Sequence, residues 1–440
     1  MREEIAFQTV DNSYDWSLLL NRTRHADLMQ TWEYGEAIKK AVGFDPIRQI
    51  ILRNGEPLAM AQVLLKEVSG IGPVARVQNG PLFFNTDDIW QPMTALIAMK
   101  ELKNYWVNRQ QRHLYFSPCL FPSELPKKWH KELNLQTVSD PVWESVKLDI
   151  SQTEEDIRRQ MKRHWRKALE RIERENFQAK VSHSADDFQY YLFQYRLDAK
   201  NNTSSWPSPD LLSAFWQASG ANSQLFLAYR DEKYIAGLIT TVFGDTALAL
   251  SAWDETHTTD FIGMRFLIWR AIQYYRDLRY KWFDLGGADP SRKMGASAFK
   301  RTTGGSEYSY AGNYEAFPTF LPRESSASRK RADLHGFLPG LDWPVEIEEI
   351  ELDQETGVTS GVTRAVGNIV KKNPDWDGVL NSKKSLVTSG LIDSLALVDL
   401  VQDLQERFDV HFFPEEIIAE NFDSINSICR LIQEKMAVHF

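Results

Sequence analysis

One arrangement occurs twice in this chain and restricts its fold more than any other feature. At 47–52 and 58–65 two apolar runs flank Arg53-Asn54-Gly55-Glu56, and at 225–229 and 235–243 two more flank Arg230-Asp231-Glu232-Lys233. Short polar connections between such runs read as antiparallel hairpins. A two-stranded ribbon is marginal by itself and needs further strands or a helix across one face. In both places a polar helix precedes the ribbon and a long amphipathic helix follows it, at 88–111 and at 263–278. The sequence does not repeat, but the pattern does. The expected fold is α/β (α+β), with two similar mixed domains in tandem at 1–150 and 151–321.

Composition limits what else the chain can be. Its 440 residues are 43% hydrophobic and 12% aromatic, ample for several ordinary cores. Cys119 and Cys429 stand far apart and form neither a disulfide nor a ligand pattern, which points to a reducing compartment and to no metal site. No apolar run approaches the ~18 residues of a membrane span, and Met1-Arg2-Glu3-Glu4-Ile5 does not open a leader, so a cytoplasmic protein without a membrane span is expected. A net charge of -9 disfavours general coating of nucleic acid.

A basic, serine-rich run at 323–331 and an acidic one at 346–353 mark 322–356 as a linker. Flexible chain of about 34 residues spans roughly 30–35 Å, unless the apolar stretch around Leu341 and Trp343 docks and shortens it. Beyond it, Asp393 or Ser394 caps a helix with Leu397, Val398, Val401, Leu404 and Phe408 on one stripe, and Asp399, Gln402, Asp403 and Glu406 on the other side. Pro414-Glu415-Glu416 opens a short helix, and Asp423 or Ser424 caps a last one carrying Ile425, Ile428, Leu431 and Ile432. Val362, Val366, Ile369 and Val370 mark an opening helix. This stretch, with Ser389-Gly390-Leu391-Ile392-Asp393-Ser394-Leu395 at its centre, resembles acyl and peptidyl carrier domains, and among them small carriers charged with amino acids, of the D-alanyl carrier type. The resemblance implies an all-α four-helix carrier bundle at 357–440 with 4'-phosphopantetheine attached covalently at Ser394. A helix N-terminus favours the phosphodiester of that link. It also implies a phosphopantetheinyl transferase and an adenylating ligase as partners.

Upstream, Gln30-Thr31-Trp32-Glu33-Tyr34-Gly35, Asn79-Gly80-Pro81-Leu82-Phe83, Arg163-His164-Trp165-Arg166-Lys167-Ala168, Phe283-Asp284-Leu285-Gly286-Gly287 and Phe299-Lys300-Arg301 follow one another in an order that resembles the Fem-type peptidyltransferases. Those enzymes have two GNAT-like domains and add amino acids to peptidoglycan precursors from aminoacyl-tRNA. The resemblance implies tandem GNAT-like domains, a cleft lined by Asp284-Leu285-Gly286-Gly287, and Lys300, beside Phe299, facing a reacting carbonyl or an acceptor phosphate. An ammonium so placed offsets oxyanion charge. Arg163 and Arg166, in a cationic helix expected at 157–175, match the family pattern as anion-binding residues. One departure stands out: where the family carries an acidic residue before proline, this chain has Phe116-Ser117-Pro118. Asp254, His257 and Asp284 are the candidates for a general base, although a neutral amine attacking a thioester needs positioning more than a base.

A Fem-like enzyme that draws on aminoacyl-tRNA has no use for a pantetheine arm. The two resemblances on one chain therefore lead to an acyltransferase or aminoacyltransferase that forms an amide by passing a group from a Ser394-borne thioester to an amine-bearing acceptor. The alternatives are an aminoacyl-tRNA-dependent transferase whose carrier holds the acceptor, and a non-catalytic carrier or docking platform.

Overall fold

The structure, a computed structural model, describes residues 4–318 except 85–90, 140–141, 175–176, 202–206, 231–232, 255–260 and 288–298, together with part of 362–437. The chain divides into two compact units, Met1–Asp342 and Trp343–Phe440.

In the first unit, strands β1 (Ile5–Thr9), β2 (Asp45–Arg53), β3 (Glu56–Val68), β4 (Gly72–Val77), β5 (Leu82–Phe83), β6 (His113–Phe116) and β7 (Gln136–Val138) belong to one sheet. A second sheet holds β8 (Glu144–Asp149), β9 (Gln178–Ser182), β10 (Ser223–Arg230), β11 (Lys233–Phe243), β12 (Thr246–Asp254), β13 (Trp282–Asp284) and β14 (Ser306–Ser309). The final strand, β15 (Asn313–Ala316), returns to the first sheet. The orders are β1-β2-β3-β4-β6-β15-β7, with β5 beside β3, and β14-β8-β13-β12-β11-β10-β9.

Both expected hairpins are present. β2 and β3 are joined through Asn54 and Gly55 at φ 52° and 85°, the left-handed region that a tight hairpin turn demands and that these two residue types enter most cheaply. β10 pairs antiparallel with β11. Each sheet also contains one parallel pair, β4 with β6 and β12 with β13. Parallel neighbours need a long crossover, and here each crossover includes an amphipathic helix. The helix Pro92–Lys103, continued by a π turn at Asn104–Arg109, buries Ala95, Ala98, Met99 and Leu102 in the first core; Ile262–Asp277 buries Leu267, Ile268, Ala271 and Ile272 in the second.

The chain's division differs from the expected break at 150. β8 already lies in the second sheet, and β15 carries 313–316 back into the first. A third core joins the halves, with Val10, Trp16, Met60, Leu82, Cys119 and Tyr310 buried and Trp143, Phe243 and Tyr308 packed against it. Helix Trp32–Val42 of the first half packs on Pro209–Ser219 of the second, and Asn222 Nδ2 donates to Glu33 at 3.1 Å. The helix expected at 157–175 is two, Glu154–Gln160 and Arg163–Ile172. They break at Met161 and Lys162, where ψ is 145° and 150°. The Met161 side chain is buried there, and Lys162 N–H donates to Thr302 O at 3.2 Å.

In the second unit, helices span Ser394–Phe408, Ala419–Phe422 and Ile425–Ala437. Their described core contains Leu400, Val401, Leu404, Ile425, Ile428 and Ile432, with Val362, Val366 and Val370 also buried. Ser424 caps the last helix, its Oγ accepting from Ser427 N–H at 3.1 Å. Asp423 instead accepts from Val387 N–H at 2.8 Å and Ser385 Oγ at 3.0 Å, tying the segment before Ser394 to the foot of the last helix. Gln402, expected in solvent, is only 4% exposed. Asp393, Pro414 and Glu415 lie outside the described residues.

Among the described residues no helix is long and apolar enough to cross a membrane, and no cluster of His, Cys, Asp and Glu has the spacing to hold a metal ion.

Candidate active site

The parallel pair of the second sheet ends asymmetrically. β13 stops at Asp284, opposite Leu248, while β12 runs on to Asp254. The chain leaves β13 through Leu285 and then Gly286, whose φ is 72°. A Cβ on Gly286 would stand 2.5 Å from Ala249 O, so both the conformation and the close approach to β12 require glycine. Asp284 fixes this turn: its Oδ1 accepts from Gly286 N–H at 2.8 Å and lies 2.5 Å from Ser145 Oγ, which also reaches Gly286 O at 2.8 Å. Its Oδ2 accepts from Tyr308 Oη at 2.6 Å. The outer side of the turn holds the predicted lysine. Lys300 Nζ donates to Gly287 O at 2.7 Å and to Gly286 O at 3.2 Å, from a bend closed by Thr302 N–H to Phe299 O and Thr303 N–H to Lys300 O. Carboxylate, glycine turn and ammonium are thus one hydrogen-bonded assembly at the end of a parallel pair, the side of an open sheet on which ligands gather.

Two further groups complete its electrostatics. Lys147, the register partner of Asp284 across β8 and β13, has its ammonium held below the usual lysine value by burial, with Asp284 and Asp245 pulling the other way. The Tyr308 phenol is pushed well up by burial and then by the Asp284 charge, so it stays a neutral donor.

A second buried carboxylate comes from the first half. Asp27 caps the 3-10 turn Leu28–Gln30, accepting from Met29 N–H at 2.9 Å. It also accepts from Asn79 Nδ2 at 3.2 Å and from Tyr310 Oη at 2.8 Å. Burial pushes its carboxyl up to about 6, against the three hydrogen bonds that lower it, and the charge of Asp284 adds to the rise. Asp27 and Asp284 are 6% and 3% exposed, the two buried carboxylates among the described residues.

Of the other expected site residues, Asp254, Arg166 and Phe299 make contacts within the second half. Asp254 accepts from Met264 N–H at 2.8 Å, capping the helix Ile262–Asp277, and lies six positions beyond Leu248, about 20 Å along β12 at ~3.4 Å per residue. Arg166 donates to Met161 O at 2.6 Å and Arg159 O at 3.0 Å, closing off the preceding helix. Arg163 is exposed at the first position of its helix. Phe299 packs on Trp165 and Phe261 at 5.4 Å each, under the Arg265 guanidinium at 5.0 Å. His257 lies outside the described residues, and Ser394 begins the helix Ser394–Phe408. Asp27, Ser145, Lys147, Tyr308 and Tyr310 were not found from sequence. The one signal available for the tyrosines was Tyr308-Ser309-Tyr310, whose alternation puts two phenols on one face.

Residues 155–301 match the model of the acetyltransferase (GNAT) domain family, a span that includes Asp284, the glycine turn and Lys300. The fold is similar to the crystal structure of FemX, with TM-score 0.61 and 13% identity over 72% of this chain and 97% of that one. A conserved protein of unknown function from Bacteroides thetaiotaomicron VPI-5482 (TM-score 0.48, 9% identity, 72% and 100% coverage) and a tandem GNAT protein from the clavulanic acid biosynthesis pathway (0.44, 12%, 71% and 98%) are more distant. No curated protein matches the sequence. The second half carries a GNAT-type domain in a two-sheet α/β fold like that of FemX. The chain is an enzyme of the acyltransferase class.

Proposed function

We propose that this enzyme forms an amide by transferring an aminoacyl or acyl group from a phosphopantetheine thioester on its own Ser394 to an amine. The observation that carries the reading is the presence, on one chain, of a GNAT-type domain with the Asp284–Gly286–Lys300 assembly and of a helix that starts at Ser394. The first turn of that helix has no acidic residue, which suits it to a phosphodiester near its positive end. Bound there, the arm would supply an activated thioester. The amine nitrogen attacks the acyl carbon, the C–N bond forms, the C–S bond breaks, and the proton lost by nitrogen balances the one gained by sulfur. The Lys300 ammonium contributes positive charge where the acyl oxygen becomes negative, and Asp284 holds the turn that fixes it. A loading ligase, a phosphopantetheinyl transferase and an amine-bearing acceptor are the partners this reaction requires.

Intact-mass spectrometry after treatment with a promiscuous phosphopantetheinyl transferase and coenzyme A tests the first step. A phosphopantetheine-sized gain in wild type and none in Ser394→Ala is expected; no gain in folded wild type overturns the reading. Transfer that is abolished by ribonuclease would make aminoacyl-tRNA the donor.

A further inference from the structure

The two buried carboxylates do not lie in separate networks. Tyr308 donates to Asp284 and Tyr310 donates to Asp27; the two tyrosines are separated by one residue, and their rings are 5.6 Å apart. Phe121 packs against both, at 5.9 and 6.2 Å, so neither phenol can swing without displacing the other's packing. The backbone between them is fixed as well: Ser309 pairs with Glu144 across β14 and β8, and Tyr310 N–H donates to Trp143 O at 3.1 Å. Trp143 in turn donates its indole N–H to Tyr308 Oη at 3.2 Å. A continuous path therefore runs from Asp27 in the first half to the glycine turn and Lys300 in the second. Every protein ligand of Asp27 is neutral: Met29 N–H, Asn79 and Tyr310. Its electrostatic surroundings among the described residues include Asp284, Cys119, Tyr34, Tyr308 and Lys147.

A carboxylate in such a site costs several kcal/mol more to bury than an asparagine would, unless its charge has a use. Protonating it reverses one bond: Asp27 then donates to Tyr310, and the Tyr310 hydroxyl turns to another acceptor, for which the neighbouring Cys119 sulfur is placed.

We propose that Asp27 is a positioning residue for the transferase centre: through Tyr310 and Tyr308 it sets the orientation of Asp284, and through Asp284 the turn that holds Lys300. This rests on the Asp284–Lys300 assembly being the reacting centre. The coupling itself is testable without any assay of transfer.

The test is carbon-13 NMR of the full chain labelled at aspartate Cγ, titrated from pH 4 to 8, with Asp27→Asn and Asp284→Asn assigning the two signals. Expected is an inflection in the Asp284 signal at the midpoint of Asp27, near pH 6. It should vanish in Asp27→Asn, and in Tyr310→Phe the Asp27 midpoint should rise while the Asp284 inflection shrinks. An Asp284 signal that titrates identically in wild type and Asp27→Asn overturns the proposal. If Asp27→Asn does not fold, Tyr310→Phe decides alone, since a tyrosine that does not connect the two carboxylates would leave the inflection in the Asp284 signal undiminished. Coupling that is intact in a protein whose Lys300→Met variant still transfers would overturn the assignment of the centre and leave the coupling standing.

Discussion

The same element, a parallel strand pair within a mixed sheet, ends in two different ways in this molecule. In the first half the strands stay joined past β4 and β6: Ser117 N–H donates to Val77 O, Asn79 N–H to Ser117 Oγ at 2.9 Å, and Gly80 N–H to Ser117 O. The space beside them is filled by amides bonded to backbone. Gln30 Nε2 donates to Gln78 O at 2.6 Å and its Oε1 accepts from Gln62 N–H at 2.7 Å, while Gln62 reaches Thr31 O at 2.9 Å. In the second half the matching space holds a carboxylate, a lysine and a glycine turn. Paired amides add rigidity and little chemistry, whereas ionisable groups at the end of the other parallel pair keep unequal charge there. The two parallel pairs thus end in chemically different surroundings.

Substitutions in the two halves should therefore fail differently. Lys300→Met is expected to lower transfer by 10²–10³-fold, with the thermal transition kept, as read by single-turnover kinetics beside calorimetry. Gln30→Leu, in the first half, leaves Gln78 O and Gln62 N–H without their partner and should lose about 3 kcal/mol in denaturant melts, with unchanged turnover per folded molecule. A Gln30 variant that is stable but inactive would dissolve the contrast. Asp27 sits between the two behaviours. Because its folded value of about 6 lies above the ordinary aspartate value of 3.8, its cost is absent below pH 4, grows through the interval and is fully present above pH 6. Raising the pH from 4 to 7 should thus remove up to about 3 kcal/mol of stability through this group, and Asp27→Asn should flatten that part of the curve. Smallest is the cationic helix: Arg166→Ala should cost about 1 kcal/mol by freeing Met161 O and Arg159 O, whereas exposed Arg163→Ala should leave stability unchanged.

What the sequence discloses follows from how local each feature is. The Asn54-Gly55 turn, the crossover helices and the Gly286-Gly287 exit from β13 are set by neighbouring residues and can be read directly. Lys300 is joined to that exit by hydrogen bonds from a bend that is also local. The break at Met161 depends on Thr302 and on a guanidinium choosing carbonyls over solvent, which no periodicity encodes. Asp27 is invisible for the same reason. Its partners Asn79 and Tyr310 lie 52 and 283 positions away, and only the assembled fold makes an acid before Leu28-Met29 a buried one.

The return of β15 has a consequence for how this protein is made. Its neighbours in the sheet, β6 and β7, are complete by Val138, yet the strand that belongs between them begins at Asn313. At about 5–20 residues per second, a ribosome takes roughly 10–35 s to deliver it. Through that interval the nascent first half presents unpaired strand edges. Maturation is therefore not one domain after another: the enzyme's beginning waits for residues past Lys300, and a nascent chain released early at 150 would lack β15 and leave its first sheet open.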